Sequence, residues 1–199
     1  MGAPKSQTLQ ERFGFKDDDL KLSTHDDIMH WVHRNIDGII EDIFGDWLRK
    51  EWEKSVSEYR KTLENVALKG TWDSKQAKTL LADFTPPEMP KITTGAVTWE
   101  HAVTNNKGFV VGFVDMRVAV SNPYLWCEEH EFSPRISKDT VPIYFEIKTS
   151  LPTAGELLRQ IRLYQTFLSG KWVVVCPDDR HVGILRNQGI FFCKSPGAA

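Results

Sequence analysis

The sequence predicts an α/β protein in which a mixed central sheet is flanked by helices. Apolar residues of the first half recur at helical spacing, whereas after the proline-rich stretch 86–90 they follow the patterns of strands. A further helical pattern then separates two apolar segments of the second half. The predicted order is therefore helix, strand, strand, strand, helix, strand, which is typical of a layered α/β domain.

The first half is predicted to be helical. A helix begins at residues 23–24, and acidic side chains occupy its first turn, where the helix dipole favours them. Its apolar stripe consists of Ile28, Val32, Ile36, Ile39, Ile43 and Trp47. Gly45 is predicted to divide this stripe into two helices, of which the second ends near Ala67. A short helix is expected over 76–81, and the prolines of 86–90 end the helical part.

The second half is predicted to contain the sheet. Strands are expected over 92–104 and 109–120, joined by a hairpin turn at 105–108. The remaining predicted segments are a loop containing Pro123 and Pro134, a strand over 141–149, a helix over 153–169, and strands over 172–176, 182–185 and 190–193.

The composition indicates one soluble domain. With 199 residues, of which 41% are hydrophobic, the chain can form one compact core. Residues 1–23 are interpreted as an irregular arm and 24–199 as a single domain, with a helical part over 24–85 and a sheet core over 91–194. No apolar run approaches the roughly 18–20 residues that cross a bilayer, which predicts no membrane partner.

The cysteines and the charges restrict the expected location and partners. Cys127, Cys176 and Cys193 are widely spaced and include no C-x-x-C pair, which favours the reduced thiols of a cytoplasmic protein. The formal net charge is −2, with 13 basic and 17 acidic residues in 1–90 but 12 and 10 in 91–199. Because the second half is only mildly basic, any nucleic-acid binding is expected to be local.

Two strands carry the residues that suggest chemistry. Side chains alternate across a strand, so Glu146 and Lys148 share one face. Asp115 interrupts an apolar run on the preceding strand, and burying it without a positive partner would be costly. If the two strands are neighbours, Asp115 and Glu146 can share a divalent cation that prefers oxygen ligands, such as magnesium or manganese. An alternative interpretation is a surface ion pair of Glu146 and Lys148 on an edge strand, with Asp115 paired to Arg117.

The order of these motifs resembles the PD-(D/E)xK nuclease superfamily. The matching segments are Gly112-x-x-Asp115, Glu146-x-Lys148 and the helical Gln160-x-x-x-Tyr164, which is similar to the Q-x-x-x-Y element of the RecB-like branch. The resemblance covers about 92–177, with the helix from residue 24 as the family's first helix. It implies a restriction-endonuclease-like core, α-β-β-β-α-β, with a mixed central sheet.

The resemblance also implies an activity, a cofactor and a partner. A member of this branch is expected to be a deoxyribonuclease dependent on Mg²⁺ or Mn²⁺ that hydrolyses phosphodiester bonds of DNA. Asp115 and Glu146 would bind the metal, Ile147 would offer its carbonyl, and Lys148 would position the attacking water. Gln160 and Tyr164 would lie near the site. Two departures are Val114 in place of the family's proline, and three cysteines where cluster-containing members have four, so no iron–sulfur cluster is expected.

The first helix is expected to contribute one more ligand. His25 is the preferred candidate, because RecB-like members often have a histidine there, although helix capping or simple exposure would explain it equally well. His30 and His33 are predicted to be solvated. The other candidates for the ligand are Asp26, Asp27, Glu41, Asp42 and Asp46.

Three arginines are the main candidates for binding the DNA strand. Arg159 and Arg162 flank Gln160 on one helix and Arg117 follows Asp115, so they could contact phosphates. A tryptophan, if exposed, could stack on unpaired bases. A homodimer would suit cleavage of both strands. Two other interpretations are a non-catalytic nucleic-acid-binding or interaction protein that retains the nuclease fold, and an unrelated α/β domain in which these residues only form salt bridges.

Overall fold

A computed structural model describes residues 24–70, 72–128 and 131–196. The predicted arm over 1–23 lies outside the described residues. The chain divides into two compact units that interleave along the sequence. The first contains the described residues up to Ile39, Thr94–Ala119 and the chain from Val141 onward, and the second contains Ile40–Thr93 and Val120–Thr140. The single domain predicted over 24–199 therefore stays a prediction.

Three helices form the described first half of the chain. They are α1 (Thr24–Arg34), α2 (Ile36–Leu68) and α3 (Trp72–Asp83). The predicted helix break at Gly45 is wrong, because Gly45 lies inside α2 and the boundary falls at Asn35. The side-chain amide of Asn35 donates to the carbonyl of Trp31 over 2.8 Å, a local bond with which asparagine competes with regular helix geometry.

A salt bridge spans Gly45 on α2. The Arg49 guanidinium lies 2.9 Å from a carboxylate oxygen of Glu41, two helical turns away. A Cβ at Gly45 would lie 2.7 Å from that same carboxylate oxygen. The missing side chain therefore leaves room for the pair, and the helix retains its hydrogen bonds at the cost of a weak helix former.

Five strands form one sheet in the part of the chain that the structure describes, in the order β1-β2-β3-β4-β5. They are β1 (Thr94–Thr104), β2 (Val110–Trp126), β3 (Arg135–Ile147), β4 (Lys171–Cys176) and β5 (Phe191–Lys194). Helix α4 (Ala154–Gln165) connects β3 to β4, and α5 (Val182–Asn187) connects β4 to β5. β3 pairs with β4, and β4 with β5, in parallel register.

The hairpin between β1 and β2 forms as predicted. The Asn105 N–H donates to the Phe109 carbonyl over 2.9 Å, and the Asn105 side chain accepts the N–H groups of Lys107 and Phe109. Gly108 has a φ of 81°, a left-handed conformation that glycine adopts without steric cost. The helix predicted over 76–81 and the strands predicted over 172–176 and 190–193 are also confirmed, with shifted ends.

Three predicted segments differ from the structure. The strand predicted over 182–185 is wrong, because this segment forms helix α5; a four-residue apolar run does not distinguish the two. β2 extends to Trp126 and so includes Pro123, which was expected in a loop. The Ser121 N–H donates to the carbonyl of Thr93, the residue directly before β1 begins. Pro123 therefore lies beyond the part of β2 that pairs with β1. The third strand begins at Arg135 and not at 141.

Helix α4 and the sheet form the core of the first unit near the candidate site. A capping box fixes the start of α4: the Thr153 side chain accepts the Glu156 N–H, and Glu156 accepts the Thr153 N–H. Leu157, Ile161 and Tyr164 follow at helical spacing and are buried. They pack in one cluster with sheet residues, among them Val103, Val114, Tyr144, Trp172, Val174 and Cys176.

The second unit has an apolar cluster of its own. Trp52, Tyr59 and Leu63 of α2 pack there with Ala77 of α3 and Leu125 of β2. The Tyr59 hydroxyl donates to the Phe132 carbonyl over 2.6 Å, and the Ser55 hydroxyl accepts the Leu125 N–H over 3.0 Å. Long-range bonds to side chains therefore attach the end of β2 and the loop before β3 to α2.

The predicted α/β class with a mixed sheet and helices is confirmed. The finer restriction-endonuclease-like fold stays a prediction. None of the described helices is long and apolar enough to span a membrane.

Candidate functional site

Asp115 lies where β2 meets the end of β3. Its Oδ2 accepts the backbone N–H of Ile147 over 2.6 Å, so the carboxylate is bonded to the segment that carries both Glu146 and Lys148. Its Oδ1 lies 3.5 Å from Nε2 of His25 on α1. Asp115 thus contacts both Ile147 and His25, two other residues predicted from the sequence.

His25 contacts two acidic side chains. Its Nδ1 lies 3.6 Å from Oδ1 of Asp26, which is buried. The bond with Asp115 raises the pKa of His25 above its ordinary value of 6.5, against the opposing effect of burial, and Asp26 raises it further. His25 in its protonated form therefore serves as a positive partner for Asp115, and neutral His25 would offer a nitrogen to a metal.

Glu146 is buried within the central strand. Its exposure is 2%, and among the described residues its Oε2 has no hydrogen-bond partner. Burial, followed by the negative charge of Asp115, raises the pKa of Glu146 from its ordinary 4.5 to about 7, although Lys148 and Gln160 oppose the shift. A buried, unpartnered carboxylate oxygen is costly, so a positive charge bound there would be strongly favoured.

Two side chains bind the other oxygen of Glu146. The Lys148 ammonium donates to Oε1 over 2.5 Å and the Gln160 amide donates to it over 2.7 Å. Burial alone would lower the pKa of Lys148, but Glu146 and Asp115 outweigh it, and the pKa is raised above its ordinary 10.5. Lys148 is therefore cationic at neutral pH.

The surface-pair interpretation is wrong. β3 is the central strand of the described sheet, not an edge strand, and Glu146 is buried. The partners of Asp115 in the structure are His25 and the Ile147 N–H. Glu146 is thus the buried member of the pair, whereas 25% of the Lys148 side chain is exposed.

Gly112 makes room for Tyr164. A Cβ at Gly112 would lie 2.5 Å from the hydroxyl oxygen of Tyr164 and 2.7 Å from a ring carbon. Tyr164 is buried, stacks near Trp172 and lies close enough to Lys148 to affect its pKa. Strand alternation does not predict this close approach, although a glycine inside a valine-rich strand is a usual signal of one.

The three candidate arginines differ in their surroundings. Arg159 is exposed on α4. Arg162 is also exposed, but its guanidinium donates to the carbonyl and side chain of Gln188 and to Gln165. Arg117 is half-buried. Burial lowers the pKa of His101, and the positive charge of Arg117 lowers it further. Of the three, Arg162 has the donors most fully bound within the protein.

The alternative first-helix acids lie in varied settings. Asp26 is buried beside His25, whereas Asp27 and Asp42 are exposed. Glu41 and Asp46 both bind Arg49 in the second unit. Among these candidates, His25 contacts Asp115 directly, and Asp26 is linked to Asp115 through His25.

His30 and His33, which are predicted to be solvated, are only partly exposed in the structure. Both side chains are half-buried, because each packs against the ring of Trp99 on β1, with centroids 5.7 Å and 5.2 Å apart. Helical periodicity placed them away from the stripe of α1, but it could not show that an aromatic ring from a distant strand covers them.

The donor set fits a hard divalent cation. Asp115 and Glu146 offer carboxylate oxygens, and Glu146 Oε2 is unpartnered. Within residues 24–70, 72–128 and 131–196 no group of three or more His, Cys, Asp and Glu side chains is suited to hold a metal. Two carboxylates supplemented by water are typical of a magnesium site, whereas zinc and calcium sites use more protein ligands.

Comparison with known proteins gave no relative. Neither the family models, nor the curated proteins, nor the solved structures contain a match to this chain.

Proposed function

We propose that this protein is a nuclease that hydrolyses phosphodiester bonds of DNA with the aid of Mg²⁺ or Mn²⁺. One observation carries the proposal: Glu146 is buried with an unpartnered oxygen, and it lies beside a second carboxylate, Asp115, that raises its pKa. Such an arrangement is destabilising unless a cation neutralises it, and strongly perturbed carboxyl groups are typical of functional sites.

Asp115 and Glu146 would hold the metal, with the Ile147 carbonyl as an additional oxygen ligand. When bound, the ion would supply a Lewis acid that lowers the pKa of water and stabilises negative charge on phosphate. His25 and the Ile147 N–H hold Asp115 in place. Asp115 keeps acceptor capacity, because each carboxylate oxygen has two lone pairs.

Lys148 would orient the attacking water. Its ammonium is already bonded to Glu146, so its position is set by the same group that would hold the metal. Because its pKa is raised, it is a donor and not a base at neutral pH, and its charge would stabilise the anionic transition state. Gln160 fixes the carboxylate of Glu146 from the side of α4.

Cleavage of labelled oligonucleotides tests the proposal. Wild-type protein should cleave DNA with Mn²⁺ or Mg²⁺ and not with EDTA, and Glu146→Gln and Lys148→Ala should each remove this activity. Arg49→Ala, which removes an exposed ion pair of the second unit, is a matched control that should cleave as the wild type does. Cleavage that survives in Lys148→Ala would refute the role of the lysine, and cleavage that survives in EDTA would refute the metal.

One observation favours the second candidate, a nucleic-acid-binding protein without turnover. The described residues include no group of three metal-ligating side chains, and Lys148 by itself partly neutralises Glu146. Under this alternative the protein would bind oligonucleotides equally well with and without Mn²⁺ and would cleave none of them. Binding of Mn²⁺ by the wild type that is lost in Glu146→Gln would favour the nuclease.

A further inference from the structure

We propose that Trp99, together with His30 and His33, forms a site that stacks an unpaired base, so that the strand bound by this protein is single-stranded there. The inference rests on the proposed function for its substrate class, a nucleic acid. It adds a preference for unpaired bases that the metal site cannot provide, because a metal ion and a lysine contact phosphate and do not distinguish paired from unpaired bases.

Three partly exposed rings converge at this site. The ring of Trp99 on β1 lies 5.7 Å from that of His30, at 58°, and 5.2 Å from that of His33, at 38°. All three side chains are half-buried, so packing holds them while part of their surface meets solvent. Aromatic rings fixed in this way stack with bases of any sequence.

A rare backbone conformation lies beside Trp99 on β1. The ring of Trp99 contacts α1, and the ring centroid of His101, two residues further on, lies 6.0 Å from that of Tyr144. Between them Glu100 has a φ of 43°, which non-glycine residues rarely adopt. Such strained positions cluster at functional sites, and this one directly follows Trp99.

The aromatic site lies near the proposed catalytic residues. α1 carries both His25, which contacts Asp115, and the two histidines that contact Trp99. At about 1.5 Å per residue, His30 and His33 lie roughly 8–12 Å along the helix from His25. This span corresponds to about two to four nucleotides of a stacked strand at roughly 3.4 Å each. One strand could therefore reach both places.

The charge of the protein also favours stacking. The formal net charge is −2, so a broad electrostatic attraction to phosphates is absent from the sequence as a whole. Stacking on an aromatic ring does not depend on net charge and provides affinity that a basic surface would otherwise supply.

Binding in EDTA tests the inference without cleavage. The probes are a labelled single-stranded oligonucleotide, its duplex, and the same single strand with abasic sites, which keeps the phosphates but not the bases. Trp99→Leu should weaken binding of the intact single strand by roughly 5- to 150-fold, and should leave the duplex and the abasic strand unchanged. Trp99→Phe, which keeps a ring, should retain most of the binding.

Two controls separate stacking from folding. Trp126→Leu removes an exposed tryptophan of the second unit and should bind as the wild type does. Photocrosslinking uses unmodified protein: a bromouracil-containing single strand should crosslink to the peptide that contains Trp99. Equal binding by Trp99→Leu, or crosslinks that map only to other peptides, would overturn the inference.

The outcomes distinguish the inference from the proposed function. If the wild type cleaves DNA with Mn²⁺ but Trp99 neither crosslinks nor affects binding, the inference alone fails. If the wild type cleaves nothing yet Trp99 crosslinks to the single strand, the nuclease proposal fails and the base-stacking site stands. If no oligonucleotide binds under any condition, both fail.

Discussion

The backbone N–H of Ile147 donates to Oδ2 of Asp115 over 2.6 Å. This bond attaches a carboxylate from β2 directly beside Glu146, the neighbouring residue along β3. Two acids that would repel each other are thereby held close by the backbone, and this repulsion adds to the effect of burial, which is the larger cause of the raised pKa of Glu146. A positive charge bound beside the two carboxylates would relieve this repulsion.

Asp115→Asn should separate the structural from the metal-binding role of this residue. An asparagine oxygen can still accept the Ile147 N–H, but the negative charge is lost. We expect the melting temperature in EDTA to stay the same or rise, because repulsion against Glu146 is relieved. The rise in melting temperature that Mn²⁺ gives the wild type should disappear. An unchanged response to Mn²⁺ would mean that Asp115 is not a ligand.

Glu146→Gln should stabilise the metal-free protein at high pH only. The pKa of Glu146 is about 7 in the folded chain against 4.5 ordinarily, so the folded state retains a proton that the unfolded state loses. The contribution of this carboxyl to stability is present below pH 4.5 and is lost as the pH rises through 7. The loss is up to about 3 kcal/mol.

Thermal unfolding of both proteins in EDTA from pH 4 to 9 measures this difference. The melting temperatures should coincide near pH 4 and diverge between pH 4.5 and 7, with the variant higher, and adding Mn²⁺ at pH 8 should stabilise the wild type alone. A variant less stable than the wild type at pH 8 would show that the ion pair with Lys148 outweighs burial.

Gln160→Ala should weaken metal binding most at acidic and neutral pH. The Gln160 amide donates to ionised Glu146 and so lowers its pKa, and without it the pKa rises further. Protons and metal compete for the carboxylate, so the midpoint of Mn²⁺ binding against pH should move to higher pH. Titration calorimetry at several pH values measures the midpoint.

Gln165→Ala, at the end of the same helix, is the control for Gln160→Ala. The amide oxygen of Gln165 accepts a hydrogen bond from Arg162 and not from a residue of the candidate site. The pH midpoint of Mn²⁺ binding should therefore equal that of the wild type. Equal midpoints for Gln160→Ala and wild type would contradict the role of the amide.

Gly112→Ala should destabilise the protein and displace Tyr164. The added methyl would lie 2.5 Å from the tyrosine hydroxyl, and Tyr164 is buried, so it cannot move without repacking. Overpacking of this kind costs about 1–3 kcal/mol. Urea unfolding measures the loss in the free energy of unfolding.

Gly38→Ala, where nothing lies within 4 Å of the new methyl on helix α2, should be neutral or stabilising. Equal stability of the two variants would contradict the steric argument.

Local patterns predicted much of the fold and of the site. The Asn-Asn-Lys-Gly turn, the buried stripe of α4 and the continuous apolar run of β4 each depend on a few neighbouring residues, and the structure contains all three. The alternation of Glu146 and Lys148 along one strand is equally local. The prediction that His25 lies at the site came from a family resemblance, and the structure brings His25 to Asp115.

Contacts and strand order determined features of the fold that the periodicity of the sequence did not predict. Gly45 lies inside α2, where Glu41 and Arg49 form an ion pair across it, and 182–185 forms a helix although its apolar run also suits a strand. Whether Glu146 is buried depends on β3 being central, which strand order determines.

The sequence by itself determined the α/β class, the hairpin and which acidic and basic residues share a strand, because these follow from the spacing of neighbouring side chains. Only the tertiary structure decided the bond between Ile147 and Asp115, the unpartnered oxygen of Glu146 and the packing of His30 and His33 on Trp99. Burial and ring packing are set by residues far apart in the chain, so no local pattern contains them.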